Sequence, residues 1–298
     1  MYNICTLSDY NFLVQGLSLY ESLLAFNPNI KLHYLCLDKK TFDKLKDLNL
    51  NNLEPYLIDN LLLDDEFKKL EDSTNPELGG NNRNEFIWSL ASFFMWYLMC
   101  KLDTTITYID SDIQFYSDIS LIFNRMENKD VCLFRHKHII TDCVDGFFNV
   151  GVVVFKNTDN GKKALKWWRD AVYTREPKSL NTCGDQKFLE GIFTIIDPNS
   201  IYIGDKDIGH GAPWHYRFFN YDNLFVDNTI VWGDKRYTFL FNHFSKFKYY
   251  FDDKSFSYTG NHYKDHTLNG GLFVLPQLQK LYMDYFKNLI EINKKYNL

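Results

Sequence analysis

The chain has 298 residues, of which 45% are hydrophobic, enough to bury a substantial core in one large α/β domain or two small ones. Its net charge of −5 removes the basic face that a nucleic-acid ligand requires. No run of about 18 uncharged apolar residues occurs, and no basic region precedes a long apolar stretch at the N-terminus, so neither a membrane span nor a signal peptide is expected.

Strand and helix patterns alternate from the start. Tyr2–Leu7 reads as a strand, Tyr10–Phe26 as a helix, Lys31–Leu37 as a strand, Lys39–Leu48 as a helix and Leu53–Ile58 as a strand. That alternation predicts parallel strands with helical crossovers. Glu71 to Asn84, with Pro76, Gly79 and Gly80, reads as a surface loop, and Glu85–Lys101 as a buried helix. A strand over Thr105–Ile109 then runs into Asp110-Ser111-Asp112. Strands at Val131–Phe134 and Phe147–Phe155 and a helix at Lys162–Thr174 follow, and the chain then turns irregular and aromatic-rich. From Pro276, the residues Leu278, Leu281, Tyr282, Tyr285, Phe286, Leu289 and Ile290 fall on one helical stripe, predicting a terminal amphipathic helix.

The six cysteines (Cys5, Cys36, Cys100, Cys132, Cys143 and Cys183) show no C-x-x-C spacing and read as buried, reduced thiols. This suits a reducing, cytoplasmic setting. His136 and His138 are expected on a solvated loop, and Trp167-Trp168 in packing.

Chemistry concentrates at Asp110 and Asp112. Alternate residues of an extended segment point the same way, so both carboxylates can face one hard cation, Mg²⁺ or Mn²⁺, which would act as a Lewis acid on a departing phosphate. Where an open α/β sheet ends is also where such sheets bind ligands. In the same way, the Thr6–Tyr10 segment (Thr6, Leu7, Ser8, Asp9, Tyr10) leaves the first strand and can offer backbone N–H groups to a nucleotide. Ser8 or Asp9 could equally be the cap of the following helix. Asn149 lies in an otherwise apolar strand, where an amide needs partners. Asp185 could likewise be a helix cap.

Taken in order, Cys5-Thr6-Leu7-Ser8-Asp9-Tyr10, Tyr108–Asp112, Phe148-Asn149-Val150-Gly151-Val152 and Gly184-Asp185-Gln186 resemble the motifs of GT-A glycosyltransferases. The likeness covers roughly the first 190 residues and is greatest to the retaining, family-eight-like enzymes. It implies a single catalytic domain with a central mixed, mostly parallel sheet flanked by helices and an irregular C-terminal portion. Residues 1–112 would form a nucleotide-binding half, 113–275 a sugar and acceptor half, and 276–298 the last helix. It further implies a nucleotide-sugar donor, preferably a uridine diphosphate sugar, a glycan or lipid-linked acceptor, and retention at the anomeric carbon.

By the same resemblance Thr6 to Tyr10 and Ser111 meet the nucleotide, and Asn149 and Gly151 lie on the sugar side. Gln186 sits beneath the anomeric carbon with Asp185 orienting groups. His243, after the apolar run Tyr237–Phe241, is the expected third metal ligand, and Lys246 stands in for a phosphate-binding lysine. The sequence departs from the family's Gly- and Lys-Pro-Trp-containing stretch after that histidine. It also has Phe93 where similar enzymes carry a donor-binding arginine, for which Arg83 is the substitute. Trp214 and His215 are candidates for stacking on, and hydrogen bonding to, a sugar.

Other readings remain. An apolar strand ending in D-x-D also opens haloacid-dehalogenase-like phosphohydrolases, although Ile113 and Gln114 do not match the residues that follow there. A non-catalytic carbohydrate-binding protein is the third. Lys280, Lys287, Lys294 and Lys295 would let the last helix rest on an anionic membrane, although packing on the domain is the expected arrangement.

Overall fold

A computed structural model describes residues 1–62, 65–74, 83–136, 146–181, 184–216, 218–252, 255–258 and 275–298. The chain forms two compact units, the first from Met1–Tyr10, Asn29–Asp110 and Ile122–Gly204, the second from Asn11–Pro28, Ser111–Leu121 and Asp205–Leu298.

The first unit holds strands β1 (Tyr2–Ser8), β2 (Ile30–Cys36), β3 (Leu53–Leu57), β4 (Ile106–Ile109), β6 (Val131–Arg135), β7 (Phe148–Phe155) and β8 (Ile201–Ile203). They make one seven-stranded sheet in the order β3-β2-β1-β4-β7-β6-β8. β3, β2, β1 and β4 pair in parallel, β7 runs antiparallel to both β4 and β6, and β8 is parallel to β6. The expected mixed, mostly parallel sheet is therefore present.

Its crossovers are α2 (Lys39–Leu48), the short α3 (Ile58–Leu61), α4 (Asp65–Thr74), α5 (Arg83–Leu102), α7 (Asp159–Thr174) and α8 (Ile192–Ile195). Asp38 caps α2 by accepting from the Thr41 N–H, and Thr158 caps α7 by accepting from the Gly161 N–H. α4 was not foreseen, because its charged run hides a short apolar face in which Phe67 and Leu70 are buried. α5, apolar nearly all round, packs on α7 in the core, as a helix buried on most sides must. Trp168 is fully buried there, in agreement with the packing role expected of it.

In the second unit α1 (Leu13–Phe26) follows a 3₁₀ turn at Tyr10–Phe12. β5 (Ile113–Phe115) precedes α6 (Ser120–Met126), which carries the chain into the first unit again. The C-terminal third is not irregular. β10 (Thr229–Trp232), β11 (Lys235–His243) and β5 form an antiparallel sheet, joined on β11 by a parallel β9 (Gly209–Gly211), and a short α9 (Leu224–Asp227) precedes β10. β12 (Phe247–Tyr250) and β13 (Ser255–Tyr258) form a hairpin.

The terminal α10 (Pro276–Tyr296) buries Leu278, Leu281, Tyr282, Tyr285, Phe286 and Leu289 as expected, and continues through Ile292 and Tyr296, with Ile290 only half-buried. It packs on α1, and the Phe244 and Tyr285 rings stack at 3.7 Å. Its apolar stripe is thus consumed inside the unit. Of its lysines, Lys280 and Lys287 pair with Asp284, and Lys295 pairs with Glu21. Among the described residues no helix is long and apolar enough to cross a membrane.

Four described cysteines are free thiols: Cys5, Cys36 and Cys132 are buried, but Cys100 is exposed near the end of α5, correcting the expectation that all were buried. Cys143 and Cys183 lie outside the described residues.

Candidate active site

In the first unit, β1 ends in the segment read as a nucleotide loop. Thr6 is fully buried, and Leu7 packs against the core. The Ser8 hydroxyl donates to the Asp9 carbonyl at 2.9 Å and lies 2.6 Å from the Tyr34 hydroxyl. Neither Ser8 nor Asp9 caps α1, whose cap position is Phe12 with no side-chain hydrogen bond. Of the backbone donors expected to meet a nucleotide, the Tyr10 N–H is already given to Asp38 Oδ2 at 2.8 Å. The ammonium of Lys40 sits 3.5 Å from the centre of the Tyr10 ring, a cation–π contact that holds the ring down.

Asp110 leaves the end of β4. Its N–H donates to the Gly151 carbonyl at 2.9 Å, and its Oδ1 accepts from the Tyr108 hydroxyl at 2.8 Å. Burial first, and Asp110 second, push the Tyr108 phenol well above its ordinary range, so it stays a donor to that carboxylate. Gly151 is held in turn by its own N–H, which donates to Asn149 Oδ1 at 2.7 Å.

That bond fixes the orientation of the Asn149 amide. With Oδ1 occupied by Gly151, Nδ2 faces Gln186 Oε1 at 3.0 Å and His136 Nε2 at 2.8 Å. His136 is 5% exposed, not on the solvated loop expected of it. Its N–H donates to the Phe147 carbonyl, continuing the β6–β7 ladder by one residue and bringing the ring alongside Asn149. Pairing register is not written in a single sequence, which is why the residue was missed. His138 lies outside the described residues.

Gln186 opens a six-residue 3₁₀ turn, Gln186–Gly191, preceded by Gly184 at φ +52°. A Cβ at Gly184 would lie 2.7 Å from the Trp88 ring, so both backbone conformation and space demand glycine. Trp168 Nε1 donates to the Asp185 carbonyl at 2.9 Å and pins the turn to α7. The Asp185 side chain makes no capping bond. Its carboxyl is buried, with Oδ2 lacking a hydrogen-bond partner among the described residues, and desolvation, reinforced by the charge of Asp110, raises it to about 8.

In the second unit, His243 Nε2 lies 3.1 Å from Asp112 Oδ1, and the Phe244 N–H donates to the Asp112 carbonyl at 2.9 Å. The antiparallel register, His243 opposite Ile113, sets that pair. His243 is buried, with the Trp214 ring edge-on at 5.3 Å. Trp214 and His215 are themselves buried, and the His215 ring meets that of His210 at 4.3 Å. Trp214 thus walls the His243 imidazole. Ser111 is buried, and Lys246 is exposed in a turn at φ +59°.

Asp110 and Asp112 are one residue apart on a continuous segment, and His243 is fixed on Asp112, so these three make a candidate set of metal ligands. Two carboxylates and an imidazole are donors that suit Mn²⁺ or Mg²⁺.

Phe93 is a core residue, edge-on to Phe67 and Tyr173, with the Arg169 guanidinium 5.8 Å from its centre. Arg169 is buried and bound to Asp170 at 2.7 Å. Arg83 begins α5, but its side chain lies outside the described residues.

No family model matches the chain. It is 26% identical over 269 residues to the uncharacterized protein YfnF of Bacillus subtilis (strain 168), covering 82% of this chain and 81% of that one. Its fold matches apo mouse xyloside xylosyltransferase 1 with a TM-score of 0.54 at 15% identity, over 81% of this chain and 97% of the other. Galactosyltransferase LgtC, solved with donor and acceptor sugar analogues, aligns at a TM-score of 0.47 and 14% identity, over 72% and 77% of the two chains. The fold is a GT-A fold.

Proposed function

We propose that the chain transfers a glycosyl group from a nucleoside-diphosphate sugar, in the first instance a uridine diphosphate sugar, to a glycan or lipid-linked acceptor. The observation that carries this is Asp110 at the end of strand β4 of a GT-A sheet and Asp112 in the turn that follows, with His243 laid against Asp112 at 3.1 Å. The name of the xylosyltransferase that shares the fold is in keeping with it.

Asp110, Asp112 and His243 would hold Mn²⁺ or Mg²⁺, and when bound the cation supplies charge neutralisation to the departing diphosphate. The chain's own residues do the rest. Tyr108 and Gly151 orient Asp110. Thr6 to Tyr10 and Ser111 shape the nucleotide side, with Lys246 available to a phosphate. Asn149 and Gly151 form the sugar side. Gln186 presents an amide whose oxygen is oriented by Asn149, placing a negative dipole where positive charge develops at the anomeric carbon. An amide is a poor nucleophile, and the resemblance to retaining enzymes supports attack by the acceptor hydroxyl from the leaving-group face, its proton passing to the departing diphosphate as the C–O bond to the donor breaks, with configuration retained. Asp185 is buried, and desolvation together with the charge of Asp110 raises its carboxyl to about 8, which favours the neutral form and keeps a second negative charge from building up beside Asp110.

The test is a thermal-shift and UDP-release screen of UDP-sugars with Mn²⁺, Mg²⁺ or EDTA, comparing the native chain with Asp112→Asn. Cation-dependent stabilisation and slow UDP release, both lost in the variant while its melting in EDTA stays near wild type, are expected. Absence of any donor response, together with metal-dependent cleavage of p-nitrophenyl phosphate, would replace the transferase by a phosphohydrolase.

A further inference from the structure

We propose that His136 is a positioning residue for Gln186, acting through Asn149 by keeping a neutral imidazole with its proton on Nδ1. The inference rests on the transferase reading for its catalytic consequence, but its geometry stands on hydrogen bonds alone.

The hydrogen bonds that join Gly151, Asn149, His136, Gly146 and Gln186 are mutually consistent in one arrangement. Asn149 Oδ1 accepts from the Gly151 N–H at 2.7 Å, so the amide cannot be turned over without setting two donors against each other. Nδ2 then has two protons and two neighbours, Gln186 Oε1 at 3.0 Å and His136 Nε2 at 2.8 Å. Nε2 must therefore be the acceptor. In a neutral ring the proton sits on Nδ1, which has the Gly146 carbonyl at 3.2 Å to donate to. The 3.3 Å approach of Gln186 Nε2 to that same Nδ1 then joins two donors and is a packing contact, not a bond.

Each member is forced by the one before it. The Gly146 carbonyl sets the tautomer, the tautomer makes Nε2 an acceptor, and the acceptor engages one Asn149 N–H while the other is directed onto Gln186 Oε1. Gly146 itself is at φ +85°, and a Cβ there would meet Lys187 Cα at 3.1 Å, which keeps this carbonyl close to the 3₁₀ turn that carries Gln186. Without the His136 acceptor, the half-buried Asn149 amide keeps its Gly151 and Gln186 bonds but loses the third contact that restrains its tilt. The Gln186 amide would lose its fixed orientation with it.

The tests use the full chain. In wild-type protein, ¹⁵N spectra of the His136 ring should show a protonated Nδ1 and a bare Nε2; a protonated Nε2 overturns the inference whatever the activity. Selective ¹⁵N-glutamine labelling, with the Gln186 side-chain pair assigned by its loss in Gln186→Glu, reads the second link. His136→Phe should displace or broaden that pair. His136→Gln, which can place an amide oxygen where Nε2 stands, should leave it near its wild-type position.

With the UDP-sugar that wild type turns over in Mn²⁺, His136→Phe should lower kcat by about 10- to 100-fold with little change in donor KM, the pattern of a lost orientation and not of lost binding. His136→Gln should recover most of the rate. Unmoved Gln186 resonances in His136→Phe, or a His136→Gln variant as impaired as His136→Phe, refute the positioning role. If wild type releases UDP from no donor, the transferase reading fails while the two spectra still decide the fate of His136.

Discussion

Replacing Asp185 by Asn tests the electrostatics of the site without needing a substrate. The carboxyl is buried and raised to about 8, chiefly by desolvation and next by Asp110, whereas an unfolded chain releases the proton near 3.9. The folded state thus holds a proton that the unfolded state gives up, and the stability associated with it is full below about pH 4 and lost as pH rises towards 8. At about 1.4 kcal/mol per pH unit, the loss between pH 5 and pH 8 amounts to roughly 4 kcal/mol. For a chain of this size that corresponds to about 5–10 °C in Tm. Asparagine keeps the shape of the protonated acid and cannot titrate. Melting curves in EDTA at pH 5, 6, 7 and 8 should therefore show Asp185→Asn close to wild type at the lowest pH and increasingly more stable above it. Mn²⁺, by screening Asp110, should narrow the gap. A gap independent of pH would refute the burial argument, and a gap that Mn²⁺ leaves unchanged would count against a cation at Asp110.

Two further outcomes concern packing. Gly184→Ala places a Cβ 2.7 Å from the Trp88 ring at a φ of +52°, and should cost about 1–3 kcal/mol in urea unfolding. Combining it with Trp88→Ala should relieve the steric part and leave the backbone part; no relief would show that Trp88 is not what confines the turn. Phe244→Ala removes a ring stacked at 3.7 Å on Tyr285 and in edge contact with Tyr282, for an expected loss of about 3–5 kcal/mol by the same assay. A loss below about 1 kcal/mol would mean that the stack collapses onto new partners.

Some of this molecule is written locally in the chain. The strands of the first unit other than β8 are apolar runs bounded by turn residues, and α2 is an amphipathic segment that Asp38 caps, so these elements were legible with boundaries shifted by a residue or two, whereas the three residues of β8 are too short a run to stand out. The stripe of α10 was legible for the same reason: periodicity depends on the segment alone. Asp110 and Asp112 could be singled out because two carboxylates one residue apart at the end of an apolar strand can face one cation. The order of the four motifs identified the fold class before any strand was paired.

Tertiary structure decided what depends on register and burial. Nothing in the aromatic-rich final third announces that β11 lies between β5 and β10, yet the β5–β11 register is what sets His243 on Asp112. Trp214, read as a sugar platform candidate, is buried beside that histidine, because an aromatic's burial depends on what packs over it. His136 passed for a loop residue, since a single extra rung of the β6–β7 ladder places it against Asn149, and a rung is a relation between two segments. The raised carboxyl of Asp185 has the same origin: its chemistry comes from the desolvation that α7 and the surrounding core impose, and from a charge 75 positions earlier in the chain that the fold brings within range.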